Sequence, residues 1–172
     1  FSERFKVSGL EGRSKMLEVL LSCYAEFLGR RPDHPPTIAI VDLKGLPTQK
    51  EFELFEEYFE SRGVPAVIAS PEELEYSGGK LRLGDTAIDV VYKRLLVNEY
   101  LPIIDSAPAL IDAYRDRAVC VVNSFQGKIV HKKAIFAVLT NEKYESMFTE
   151  EELTAIKDHV PWTRRFEESQ TM

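Results

Sequence analysis

Lys93 and Arg94 stand side by side where an apolar run, Ile88 to Tyr92, gives out. Cations at the carboxyl end of a buried strand can hold an anion. A guanidinium grips a carboxylate or phosphate through two parallel N–H donors, and an ammonium adds a point charge. An ion pair with Asp89 or Glu99 would account for the same two residues without any ligand. A second basic cluster, His131-Lys132-Lys133, falls inside a segment patterned as an amphipathic helix, Lys128 to Leu139, from which one lysine could reach a nucleotide phosphate.

Other chemistries lack their residues. No G-x-G-x-x-G follows Val41 and no G-x-x-x-x-G-K occurs, which disfavours ordinary dinucleotide and P-loop binding. His34, His131 and His159 are far apart, with no cysteine or histidine at ligand spacing, so no metal site is expected. No serine lies in a nucleophile elbow and Cys120 falls within a strand, so no catalytic nucleophile emerges from this segment. Cys23 and Cys120 read as packing thiols rather than a disulfide.

These residues need elements to position them. Ser14 can cap a first helix whose stripe is Leu17, Leu20, Leu21, Tyr24, Phe27 and Leu28, ending at Gly29. A Pro-rich linker, Arg30 to Pro36, leads to Thr37-Ile38-Ala39-Ile40-Val41, apolar enough for a strand buried on both faces. Thr48 with Glu51 spells a capping box for a helix burying Phe52, Phe55, Tyr58 and Phe59, with Glu53, Glu56, Glu57 and Glu60 on its solvated face.

Val64 to Ala69 reads as a second strand, and Ser70-Pro71-Glu72-Glu73 as a capped short turn of helix. Tyr76 to Leu81, with Gly78-Gly79 at its centre, is a hairpin signal whose return arm runs from Leu81 to Ala87. Ile88 to Tyr92 is a third core strand, Pro108 to Arg117 a helix with Leu110, Ala113 and Tyr114 inward, and Ala118 to Val122 a fourth strand. Thr149 with Glu152 opens a last helix that closes at His159-Val160-Pro161.

Strands this apolar, alternating with helices, imply an α/β fold: a mostly parallel, Rossmann-like sheet of about four core strands flanked by helices, with a small β-hairpin. Ligands of such sheets gather at the carboxyl ends of the strands. Those ends carry Asp42, Ser70, Lys93 with Arg94, and Asn123 with Ser124. The organisation expected is an N-terminal helix and linker over 1–35, the α/β domain over 36–127 and a helical segment over 128–172.

The 172 residues suit one domain, and 44% apolar with 29% charged residues is ordinary for a folded chain. With 22 Lys and Arg against 28 Asp and Glu, the net charge of -6 and the lack of a dense basic block argue against nucleic acid as a partner. No run approaches the ~18 apolar residues of a membrane span, and the Phe1 end lacks a signal-peptide layout. The expectation is a soluble, cytoplasmic protein without membrane partners. Opening on Phe1 rather than Met, and ending in Glu167 to Met172 without a closing element, the sequence reads as an excerpt of a longer protein.

One string is more specific than its periodicity. Ile38-Ala39-Ile40-Val41-Asp42, Glu51-Phe52, Pro71-Glu72-Glu73-Leu74, Gly79-Lys80-Leu81, Ile88 through Arg94, Val121-Val122-Asn123-Ser124-Phe125, Lys132-Lys133-Ala134 and Pro161-Trp162-Thr163-Arg164 follow in an order that resembles the glutathionylspermidine synthase-like, circularly permuted ATP-grasp proteins. The likeness runs from Pro36 to Arg165 and corresponds to the pre-ATP-grasp domain with the beginning of the ATP-grasp domain.

The resemblance implies an ATP-dependent carboxylate–amine ligase, with ATP and magnesium as cofactors and a small-molecule carboxylate and amine as substrates. It implies nucleotide-phosphate contact by Lys133 and substrate near Arg94, with Lys93 standing where the family more often has a second Arg. Asp42 and Asn123 are further substrate-side candidates in the same crevice. Magnesium ligands and a lysine-bearing flap are expected from flanking ATP-grasp regions of the same protein, which would leave this segment inert alone. A non-catalytic ligand-binding or interaction module on the same fold is the alternative.

Overall fold

The computed structural model describes residues 11–164; the expectations placed on Phe1, Arg165 and Glu167 to Met172 lie outside the described residues. The chain divides into two compact units, the first running to Ser124 and the second beginning at Phe125.

The first unit opens with α1 (Gly12–Leu28), stopped by Gly29, whose φ of 66° lets its amide and that of Arg30 return to the carbonyls of Glu26 and Ala25. Ser14 does not cap this helix; it lies inside the first turn and donates to the Glu11 carbonyl. The buried stripe is narrower than the spacing predicts, with Leu17 and Leu20 inside and Phe27 exposed.

Then follow β1 (Ile38–Val41), α2 (Gln49–Ser61), β2 (Ala66–Ala69), a 3₁₀ turn over Pro71–Glu73, β3 (Leu74–Ser77), β4 (Lys80–Leu83), β5 (Thr86–Ile88) and β6 (Val90–Lys93). After these come α3 (Val97–Tyr100), a 3₁₀ turn over Leu101–Ile103, α4 (Ala109–Arg115) and β7 (Cys120–Val122).

The fold is mixed α/β. Four parallel strands form one sheet in the order β2-β1-β6-β7, flanked by helices, and β3-β4-β5 form a small antiparallel sheet. All four residues of β1 are buried, as a central strand covered on both faces requires. Ile38, Ile40, Val90 and Tyr92 share one core cluster with Leu17 and Leu20 of α1 and Phe52 and Phe59 of α2. Phe55 meets the Tyr92 ring edge-on at 6.5 Å.

The expected hairpin is a three-stranded meander. Gly78 and Gly79, with φ of 58° and 72°, form its first tight turn, and Gly84, with φ of 55°, serves the second. Ile88 therefore ends β5 instead of opening the third core strand. Asp89 separates the two, and its carboxylate accepts the Thr37 amide (2.9 Å).

The second unit contains α5 (Gly127–Val130), α6 (Ile135–Leu139), a 3₁₀ stretch over Glu142–Met147 and α7 (Glu150–His159). The capping box that opens α7 forms as expected: the Thr149 amide donates to Glu152 Oε2 (2.8 Å) and the Glu152 amide to Thr149 Oγ1 (3.2 Å). Lys128 to Leu139 is not one helix. The His131 ring takes the Lys128 carbonyl at 2.7 Å, the acceptor that a continuing helix would offer to the Lys132 amide. Lys133 thus lies in a turn between α5 and α6 and is exposed. Among the described residues no helix is long and apolar enough to cross a membrane.

Candidate functional site

Strand order creates the site. From β1 the chain moves outward to β2 on one side, then returns to lay β6 and β7 on the other, so the connections leaving β1 and β6 diverge. In sheets of this kind, such a divergence at the carboxyl ends of the strands is where ligands usually gather. Val41 pairs with Lys93, and the Arg94 amide donates to the Val41 carbonyl (2.9 Å), which sets Arg94 beside Asp42 at this edge.

The guanidinium of Arg94 has aromatic neighbours. It lies over the rings of Phe52 (5.5 Å) and Tyr92 (5.7 Å), and Nη1 donates to the Tyr92 hydroxyl (3.2 Å). Its side chain keeps 30% of its exposure, and Nη2 stands 3.6 Å from Glu51 Oε2, too far for a hydrogen bond. Neither carboxylate that could have explained Arg94 as a mere ion pair plays that part: Asp89 is bound to the Thr37 amide and Glu99 caps the Leu96 amide (2.7 Å). The Glu51 carboxylate faces Arg94 instead of closing a box with Thr48, whose Oγ1 is buried without a hydrogen-bond partner.

Lys93 does not share this edge. Neighbours along a strand point to opposite faces, so the residue next to Arg94 turns inward. Lys93 is buried, and its Nζ donates to the Leu95 carbonyl (3.0 Å). The pair of adjacent cations expected at the rim is a single cation. Asn123 is at the rim, exposed, in the left-handed region (φ 60°), with its amide donating to the Lys93 carbonyl (3.3 Å). That bond braces the end of β7 against β6.

Asp42 is 9% exposed. Its Oδ1 accepts the Leu43 amide (2.9 Å). Burial raises its carboxyl above the usual range; the Leu43 bond opposes this, Glu99 adds to it, and the charges of Arg94 and Lys93 draw it back.

Beyond Asp42, above β1 and β2, lies a cleft of about 420 Å³ walled by Lys44, Gln49, Phe52, Ser70 and Glu73. Its far wall is the capped turn the sequence predicts: Glu73 Oε2 accepts from the Ser70 amide (2.9 Å) and hydroxyl (3.1 Å). Lys44 bonds the other oxygen of Glu73 at 2.6 Å, and this contact, with the Ser70 bonds, holds the Glu73 carboxyl below its ordinary value. Lys44, Gln49 and Glu73 line this cleft although no motif marks them as site residues. The run Asp42-Leu43-Lys44-Gly45, directly after the first core strand, was the available signal.

The acidic face of α2 is not uniformly solvated either. Glu56 is half-buried, and burial, together with Glu60, Glu53 and Glu57, raises its carboxyl. Among the described residues no group of three or more His, Cys, Asp or Glu side chains could hold a metal ion. No protein-family model matches the chain, and no curated protein is significantly similar to it.

Proposed function

We propose that the first unit is the substrate-side, Rossmann-like portion of an ATP-dependent carboxylate–amine ligase of the permuted ATP-grasp type, in which Arg94 receives the substrate carboxylate. The observation that carries this reading is the partly exposed Arg94 guanidinium, lying over Phe52 and Tyr92 at the carboxyl end of β6 and, among the described residues, bound to no carboxylate at hydrogen-bond distance. A planar fork whose orientation is already set loses little freedom on gripping a second plane, and it offers two parallel donors to a carboxylate.

On this reading Asn123 keeps the floor of the crevice in register. Asp42 lies beside the bound substrate, and Lys133 of the second unit contacts nucleotide phosphate. Magnesium would be held by residues other than those described, and no step is assigned to it.

The test is ADP release by the full-length protein that carries this chain, supplied with Mg-ATP and with peptide carboxylates and alkylamines separately and together. A ligase releases ADP and phosphate in equal amounts only when both substrates are present. Replacing Lys133 by Ala is expected to weaken Mg-ATP binding about tenfold, the loss of one charge-assisted contact. A protein giving no heat with Mg-ATP and no substrate-dependent ADP is the non-catalytic module.

A further inference from the structure

A groove of about 760 Å³ lies just before β1 and β2, at the amino edge of the sheet and so at the end opposite Arg94. One wall is α1, which presents Glu18, Leu21, Ser22 and Ala25. Their spacing of i, i+3, i+4 and i+7 puts them on one helix face over two turns, about 10 Å of length. The facing wall is the Pro-rich linker from Arg31 to Pro36, with Arg62 and Val64 completing the lining.

These walls decide what kind of backbone can lie between them. The amides of α1 are bonded within the helix, and Pro32, Pro35 and Pro36 have no N–H. An extended segment would find no ladder to join, and its peptide groups would lose water without gaining partners. A helix arrives with its backbone already satisfied, and Leu21, Ala25 and Val64 offer it an apolar bed.

Charge then selects among helices. Glu18 is paired with Lys15 (2.8 Å) and Asp33 with Arg30 (3.0 Å). Arg31 and Arg62 are exposed, and among the described residues neither has a carboxylate within ion-pair distance. The Arg62 guanidinium lies over the Tyr58 ring at 5.2 Å, and Arg13 lies over the same ring at 5.3 Å, which brings a further cation alongside. With the two pairs cancelled, the lining keeps the positive charges of Arg31 and Arg62, on a chain whose net charge is -6.

We propose that this groove docks an acidic amphipathic helix of a partner protein, its apolar stripe against Leu21, Ala25 and Val64 and its carboxylates on Arg31 and Arg62. The proposal concerns the sheet edge away from Arg94 and does not depend on the ligase reading.

The probe is a helix-forming peptide of about 15 residues, with Leu at i, i+3, i+4 and i+7 and Glu beside them, titrated into the full chain and followed by NMR and calorimetry. Its comparisons are the same peptide with Lys for Glu and a scramble of the acidic peptide. The acidic peptide is expected to bind in preference to both, to move the amide resonances of Leu21, Ala25 and Val64, and to weaken as salt is added. Arg62→Glu and Arg31→Glu alter exposed side chains, and each is expected to lower its affinity about tenfold.

Preference for the Lys peptide, equal binding of the scramble, resonance changes elsewhere than the groove, or undiminished binding by folded Arg62→Glu overturns the proposal. If Arg62→Glu does not fold, Arg31→Glu decides by the same readings. No binding at millimolar concentration also overturns it, and a dimer in sedimentation that Arg62→Glu dissociates would then make a second copy of this chain the occupant.

Discussion

The Glu51 carboxylate stands 3.6 Å from Nη2 of Arg94, across the end of β6 from the first turn of α2. With side chains 47% and 30% exposed, the pair contributes little to stability. On the proposed reading Glu51 is competitive, because a ligand carboxylate gripped by Arg94 would meet the Glu51 charge near Nη2. Glu51→Gln is expected to tighten binding of a carboxylate ligand severalfold. Arg94→Lys is expected to weaken it about tenfold, since an ammonium cannot reproduce the planar fork. Calorimetry with a peptide carboxylate, the ligand class proposed for Arg94, checks both, and a fold defect in Arg94→Lys without a binding defect would make Arg94 structural.

Arg117 follows α4 with φ of 53°, and the Ala118 amide closes the helix end on the Ala113 carbonyl (2.9 Å). A side chain in this conformation is strained, whereas glycine is not. Arg117→Gly should raise unfolding free energy by about 1 kcal/mol, read from urea denaturation midpoints at unchanged slope.

Glu73 has its carboxyl held below its ordinary value of 4.5 by Lys44 and Ser70. A depressed folded value means that the ionised form is favoured by folding. The contribution is complete above 4.5 and disappears as pH falls through the lower, folded value. Glu73→Gln should therefore lower the melting temperature at neutral pH, and the gap from the parent should close in acid below that window. A gap independent of pH would mean that packing, not charge, is responsible.

Cys120 is buried in β7, and desolvation, with minor contributions from Cys23 and Glu26, pushes its thiol up to about 11. The reactive thiolate is therefore scarce at neutral pH. Alkylation of the native protein should modify Cys23, which is partly exposed, well before Cys120, and denaturant should equalise them. Mass spectrometry of the alkylated peptides resolves the order.

Much of the fold is legible in the amino-acid order, because some signals are local and self-sufficient. The run Ile38 to Val41 can only be a strand covered twice, Gly78-Gly79 only a tight turn, and the boxes at Ser70 and Thr149 need nothing beyond three residues of their own chain. The failures are places where a distant partner outbid a local one. Thr48 and Glu51 spell a capping box, yet Glu51 faces an arginine far along the chain. Lys93 and Arg94 read as a pair, but strand alternation separates them. His131 breaks a helix whose apolar spacing was continuous, through a bond to Lys128 that spacing does not encode. The cleft was hidden for the same reason, because it exists only once β2 lies beside β1.

The central strand of the parallel sheet comes first in the chain, yet one of its two flanks waits for Val90 to reach Ile38. Closing so long a loop costs entropy that no nearby contact offsets, and such remote pairings slow folding. The meander lies within that interval. With its two tight turns it can collapse on its own and shorten the slack that must be gathered. The edge that bears Arg94 therefore depends on a long-range pairing, and it comes into being only where β6 lies beside β1.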